Sequence, residues 1–110
     1  MRGKMATVYA QRKVYYLPRS LEALSGPGIC GVVHTDPFYY WAPGEKSLVL
    51  DSYGTIRSLY MAVLNEGDTA QIEQVVNKEL LFLIWPALTL PQKLVQMWET
   101  KFPVLAEIKI

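Results

Sequence analysis

The stretch DSYGTIRSLYMAVLNEG, residues 51–67, marks the point where the hydrophobic pattern of this 110-residue chain becomes helical. Its large apolar residues recur three and four positions apart, which is the spacing of one helix face. Asp51 or Ser52 can cap the start of such a helix, and Gly67 can end it. The apolar face consists of Ile56, Leu59, Tyr60, Val63 and Leu64. The sequence therefore predicts a first helix between these two ends.

Two more helices are predicted C-terminal to the first. Asp68 and Gln71 have the spacing of a capping box, so a second helix starts there, and Pro86 ends it. The third helix starts near Pro91 and stops before Pro103. Each of the three predicted helices therefore has a start and a stop that can be read from the sequence.

The second helix carries the most unusual hydrophobic pattern. Its last turns, residues 80–85, are apolar on every side. Such a segment must be covered all round, either by its own domain or by a partner. The apolar stripe of this helix consists of Ile72, Val75, Val76, Leu80 and Leu83.

The N-terminal half, residues 6–50, alternates short apolar runs with turn residues, which is typical of strands. The predicted strands are 6–17, 29–35, 38–41 and 46–50, and one short turn of helix is predicted at 19–24. We therefore expect an α+β fold, in which a small antiparallel N-terminal sheet of about four strands packs against three C-terminal helices.

The length of the chain favours a single domain over residues 1–110, because two halves would be too small to bury useful cores. Residues 1–5 are expected to form a loose lead-in, 6–50 the sheet and 51–103 the helices. Residues 104–110 are expected to form a short edge strand or a frayed tail.

Composition indicates a packed intracellular protein. The hydrophobic fraction is 51% and the charged fraction is 19%, as in globular domains. The single Cys30 excludes an intramolecular disulfide, and the N-terminus lacks an apolar signal core, so a cytoplasmic location is expected. The apolar stretch 80–90 is too short and too interrupted by proline to cross a bilayer, so no membrane contact is expected.

The net charge is +1, and basic residues are only slightly concentrated in the N-terminal part. Residues 1–46 hold six Lys or Arg against three Asp or Glu, whereas residues 47–110 hold five against seven. Phosphate binding would favour a more strongly basic face. A nucleic-acid-binding regulator is therefore an alternative function, and its phosphate contacts would come from Arg2, Lys4, Arg12 and Lys13.

The sequence contains no recognisable catalytic or metal-binding pattern. Cys30 and His34 would lie on one face of a strand about 13 Å apart, too far for a nucleophile and its base. We therefore predict a half-buried thiol and an ordinary histidine. One Cys and one His cannot form a structural zinc site, and the glycines of residues 26–31 lack a phosphate-binding motif. We expect no metal, no cofactor and a non-enzymatic role, unless the chain has a site unlike all of these patterns.

Two aromatic clusters, Tyr15 with Tyr16 and residues 38–41, are the remaining candidates for function. Adjacent residues on a strand point to opposite faces, so about half of these rings must leave the core side of the sheet. The outward rings are covered either by helices of the same domain or by a partner. A homodimer built on the same apolar surface is a further alternative. The candidate protein-binding residues are Tyr39, Trp41, Phe82 and Trp85.

The string from Leu17 to Leu105 resembles a family of small, little-characterised bacterial proteins. The matching phrases are LPRSLEALSGPG, the strand with Trp41, YMAVLNEG, NKELLFLIWPALTLP and WETKFPVL. Members of this family often lie beside genes for nucleotidyltransferase-like toxins. The resemblance therefore implies that the chain is the antitoxin or an accessory partner of such a toxin, and it implies no catalytic residue. The lead-in 1–13 and the tail 106–110 depart from the family pattern.

Overall fold

The computed structural model of this chain describes residues 14–35 and 47–108. Within these ranges the chain forms two short strands, four α-helices and two 3-10 segments, and the predicted α+β class is confirmed. The strands are β1 (Val32–His34) and β2 (Ser47–Val49). The helices are α1 (Tyr53–Glu66), α2 (Thr69–Val75), α3 (Lys78–Ile84) and α4 (Gln92–Lys101). The 3-10 segments are Trp85–Ala87 and Pro103–Glu107.

The two strands pair antiparallel, with Val33 opposite Leu48 at the centre of the ladder. Val33 is buried, whereas the pair Val32 and Val49 is exposed on the other face, as the alternation of a strand requires. The predicted strand 29–35 is shorter than expected because Ile29 and Cys30 form a turn, in which Cys30 has a φ of 65°. Its partner, predicted at 46–50, is β2.

Two other strand predictions have a different outcome. Residues 14–17 are not a strand, so the C-terminal part of the prediction at 6–17 is wrong. Residues 6–13 and the predicted strand 38–41 lie outside the described residues.

The turn of helix predicted at 19–24 is instead a hydrogen-bonded turn, in which the Ala23 N–H donates to the Ser20 carbonyl and the Leu24 N–H donates to the Leu21 carbonyl.

The first helix follows its prediction closely. Ser52 caps α1 and accepts a hydrogen bond from the Thr55 backbone N–H at 3.2 Å. Gly67 ends the helix, and its N–H donates to the carbonyl of Val63. The helix α4 likewise lies between Pro91 and Pro103, which confirms the third predicted helix.

The single second helix predicted after Asp68 is wrong, because the chain breaks into α2 and α3 at Asn77. The predicted capping box of Asp68 and Gln71 is present at the start of α2. Asn77 then caps α3 by accepting from the Leu80 N–H at 3.0 Å, while its own N–H donates to the Tyr60 hydroxyl at 2.9 Å. Burial raises the pKa of the Tyr60 hydroxyl to about 12. The hydrogen bonds of Asn77 replace the backbone hydrogen bonds that a continuous helix would make at this position.

The predicted strand or tail at 104–110 is also different in the structure. Residues Pro103–Glu107 form a 3-10 segment that begins with proline, and its Leu105 is fully buried. Residues 109–110 lie outside the described part. A strand cannot form at 103–107 because the backbone there already turns back on itself through short-range hydrogen bonds.

The core lies between the helices and is centred on Trp98, which has no exposed surface. The Trp98 ring lies 5.9 Å from that of Trp85 and 5.5 Å from that of Phe102, centroid to centroid. Such tilted arrangements are favourable for aromatic pairs. Among the described residues, no helix has both the length and the apolar character needed to cross a membrane.

The segment 14–26 runs across the helices as an extended strap, held by bonds between residues far apart in the sequence. The Thr69 hydroxyl donates to the Leu17 carbonyl at 2.8 Å, and the Lys101 ammonium donates to the Pro18 carbonyl at 2.6 Å. At its C-terminal end, the Gly26 N–H donates to the carbonyl of Val76 at 2.9 Å. We call residues 14–26 the N-terminal strap.

The strap is also fixed by an ion pair between Arg19 and the largely buried Glu73 of α2. The Glu73 carboxylate accepts hydrogen bonds from the Arg19 backbone N–H at 2.8 Å, from Nε at 3.1 Å and from Nη2 at 3.0 Å. The side-chain hydrogen bonds from Arg19 hold the pKa of Glu73 below its ordinary value of 4.5, with further help from the Arg19 N–H. The negative charge of Glu73 therefore stabilises the fold.

We expect the stability of the protein to depend on pH through Glu73. Because the pKa is lowered on folding, the stabilisation is fully present above the unfolded-state pKa and is lost as the pH falls through the folded-state pKa. Glu73→Gln should be less stable than the unmodified protein at pH 7, and this difference should shrink in acid. Urea unfolding, followed by circular dichroism across this pH range, measures the effect.

Glu22→Gln is the matched control for this experiment, because Glu22 is exposed, lies outside the helices and has no partner within the described parts of the chain. Its pH profile should follow that of the unmodified protein. A constant difference between Glu73→Gln and the unmodified protein from pH 7 down to strong acid would contradict the predicted role of the ionised carboxylate.

Candidate protein-binding groove

Of the four sequence-predicted binding residues, Phe82 and Trp85 lie within the described residues, and these two do not form one exposed surface. Phe82 is half-buried on α3, with the Lys78 ammonium 5.9 Å from the centre of its ring. Trp85 is only 5% exposed, packs against the Trp98 ring in a tilted arrangement and donates from Nε1 to the Glu99 carboxylate at 3.2 Å. Trp85 is therefore a core residue with little ring surface left for a partner.

The remaining predicted contacts lie outside the described residues. They are Tyr39 and Trp41 of the third predicted strand and the basic residues Arg2, Lys4, Arg12 and Lys13. The assignment of Tyr39 and Trp41 to a protein interface, and of the basic residues to nucleic acid, stays a prediction.

An apolar groove lies on the side of the molecule where α1 begins and α3 ends, and we call it the α1–α3 groove. Its volume is about 350 Å³. Ser52 and Asp51 are the polar residues in its described lining, and every other described lining residue is aliphatic or aromatic. The apolar lining residues are Ile29, Leu50, Tyr53, Ile56, Leu80, Leu83 and Ile84.

Three of the apolar lining residues are largely exposed. Leu83 is 74% exposed, Ile29 is 68% exposed and Tyr53 is 57% exposed. A single exposed apolar side chain is ordinary on a protein surface, but three of them around one concave site form a patch typical of interaction surfaces. The groove therefore combines a cavity with protruding apolar side chains.

Local structure explains how these residues meet. Tyr53 is the first residue of α1 and is fixed there by the Ser52 cap. Leu83 lies in the last turns of α3, whose start and direction are set by the cap at Asn77. Ile29 is held beside them because the turn at Cys30 returns the chain to Leu50, whose carbonyl accepts the Cys30 N–H at 2.7 Å.

The charged residue in the described lining of the groove is acidic. Asp51 lines it, and Glu79 lies one helical turn before Leu83 on α3, close to the same face. Both side chains are exposed, and neither has an ion-pair or hydrogen-bond partner within residues 14–35 and 47–108. None of the described lining residues is basic.

Cys30 and His34 do not form a reactive pair. The prediction of a half-buried thiol is wrong, because Cys30 is exposed in the turn before β1. His34 is an exposed residue of β1, and its Nδ1 lies 3.2 Å from the Ser47 hydroxyl on β2. In the described ranges, no three His, Cys, Asp or Glu side chains lie together as a metal site would require.

The sequence indicates a segment that lines the groove, but Trp85, which it selects there, is buried, whereas the exposed lining residue is Leu83. The stretch 80–85 was identified as needing cover on every side, and the exposed Leu83 belongs to it. Ile29 and Tyr53 were missed, since one is in a turn and the other starts a helix, and neither shows a periodic signal. Comparison of the chain with protein-family models, characterised proteins and solved structures finds no match, so the family resemblance stays a prediction.

Proposed function

We propose that the protein is a non-enzymatic protein-binding module and that its α1–α3 groove contacts the partner. The observation that supports this function is the coincidence of a 350 Å³ apolar groove with three exposed apolar side chains at its border. Apolar pockets bordered by protruding large side chains are the usual setting of interface anchors. The partner would bury Leu83, Ile29 and Tyr53 when it binds.

The partner that we propose is a nucleotidyltransferase-like toxin, which would make this chain its antitoxin or accessory protein. This part of the proposal is supported by the resemblance of the segment from Leu17 to Leu105 to the bacterial family described above. The mechanism would be stoichiometric binding, in which the apolar groove packs on the toxin.

Leu83→Asp is expected to reduce partner binding at least tenfold while the protein stays folded. Leu83 is 74% exposed, so the substitution costs little in folding, but a bound partner would have to bury the new carboxylate. The measurement is a comparative pull-down from the native host with the tagged unmodified protein and the variant, read by quantitative mass spectrometry.

Val14→Asp is the matched control, because Val14 is similarly exposed but is not a lining residue of the groove. It should recover as much partner as the unmodified protein. Equal recovery by Leu83→Asp would show that the groove is not the binding surface. Recovery of a nucleotidyltransferase would support the antitoxin role, whereas the absence of any specific partner would contradict the proposed function.

A further inference from the structure

The inference concerns the chemistry of the partner, and it rests on the proposed function of the α1–α3 groove. The groove volume of about 350 Å³ is more than twice that of an engineered apolar cavity of about 150 Å³ that binds benzene. Two large apolar side chains therefore fit into it. The groove has α1 on one side and α3 on the other, which is the setting in which an amphipathic helix inserts anchors one turn apart.

The carboxylates at the groove determine which kind of partner binds more favourably. Asp51 lies in the groove and Glu79 beside Leu83, and both carboxylates are unpaired within the described residues. A second copy bound through the same groove would add two more carboxylates and, from the described lining, no basic group, so like-charge repulsion disfavours it. A partner with Lys or Arg next to its apolar anchors would instead pair with them.

We propose that the α1–α3 groove binds an amphipathic helix of a partner protein that carries two large apolar residues one turn apart and flanking basic residues. The apolar anchors fill the cavity next to Ile56, Leu80 and Leu83. The flanking basic side chains reach the carboxylates of Asp51 and Glu79. Affinity comes chiefly from the apolar anchors, and the charges determine which helices are accepted.

Two synthetic peptides test this proposal. Each is an alanine-rich helix of about 18 residues, long enough to be partly helical in water, with Leu and Phe four positions apart. One carries Lys on both flanks of this pair, and the other carries Glu at the same positions. Binding to the full chain is measured by fluorescence anisotropy of the labelled peptides at about 0.1 M and about 1 M salt.

The basic peptide is expected to bind about threefold to tenfold more tightly than the acidic peptide at the lower salt concentration. This preference should vanish at the higher salt concentration, and it should also vanish in the double variant Asp51→Asn, Glu79→Gln. The net charge of the protein is +1, so its overall charge would favour the acidic peptide and cannot produce the expected result.

Three outcomes would overturn the inference. One is equal or tighter binding of the acidic peptide, and another is failure of both peptides to bind. The third is a dimer in sedimentation that Leu83→Asp dissociates, since a second copy would then occupy the groove. Failure of the proposed function is detected separately in the pull-down from the native host, either as the absence of a specific partner or as equal recovery of the partner by Leu83→Asp.

Discussion

Gly26→Ala is expected to lower the free energy of unfolding by about 4 kcal/mol or more, which is a large part of the stability of a small domain. A Cβ at this position would overlap the carbonyl oxygen and the carbonyl carbon of Val75, and it would lie 2.7 Å from the carbonyl carbon of Val76. All three atoms are backbone, so no side-chain rotation can relieve the clash.

The substitution would also break the hydrogen bonds that the close approach allows. The Gly26 N–H donates to the Val76 carbonyl at 2.9 Å, and the Asn77 side-chain amide donates to the Gly26 carbonyl at 3.2 Å. Moving the strap away would leave these groups unpaired next to the helix break, which adds to the cost. The cap of α3 would be disturbed because Asn77 provides it.

Gly28→Ala is the matched control, because nothing lies within 4 Å of a Cβ built at Gly28. It should change stability by about 1 kcal/mol or less, and reduced freedom of the unfolded chain favours a small gain. Urea unfolding followed by circular dichroism compares the two variants. If their unfolding free energies agree within about 1 kcal/mol, the close contact of the strap with α2 does not exist.

Trp98→Ala is expected to cost about 3 to 5 kcal/mol of unfolding free energy, the range for large aromatic residues removed from cores. Trp98 is fully buried, and its ring contacts both Trp85 and Phe102. The cavity would lie where three aromatic rings meet, and the surrounding helices cannot close it completely. Chemical denaturation read by far-ultraviolet circular dichroism is suitable, since tryptophan fluorescence changes with the substitution itself.

Trp98→Phe should cost much less, about 2 kcal/mol or below. The Trp98 Nε1 is buried and has no hydrogen-bond partner among residues 14–35 and 47–108, so within this part of the chain the indole N–H is desolvated without compensation. Phenylalanine removes this group and keeps most of the ring contacts. Equal losses for the two variants would contradict this explanation, because the effect would then come from the indole shape alone.

The parts of the fold that sequence reasoning predicted correctly are those with local signals. The cap at Ser52, the stop at Gly67 and the capping box at Asp68 all act within four residues of themselves. The break at Asn77 was missed although Asn77 caps α3 locally, because the apolar residues continue beyond it and its bond to Tyr60, 17 residues away, forms only after folding. Hydrophobic periodicity alone does not show where a helix is interrupted in this way.

The candidate site was predicted even less completely, for a related reason. In a continuous helix from Asp68 to Pro86, Trp85 belongs to the all-apolar segment that must be covered either by its own domain or by a partner. In the structure, the separate helix α3 buries Trp85 against Trp98 and leaves Leu83 outside. The convergence of Ile29 and Tyr53 with Leu83 depends on tertiary packing, which sequence periodicity does not record.

The long-range hold on the N-terminal strap has a consequence for synthesis on the ribosome. The Pro18 carbonyl accepts a hydrogen bond from the ammonium group of Lys101, which is 83 positions further along the chain. At translation rates of about 5 to 20 residues per second, the strap emerges from the ribosome about 4 to 17 seconds before that lysine emerges. During this interval the nascent strap exposes Leu17, Leu21 and Leu24 without their final contacts, so this segment is where we expect a chaperone to bind the growing chain.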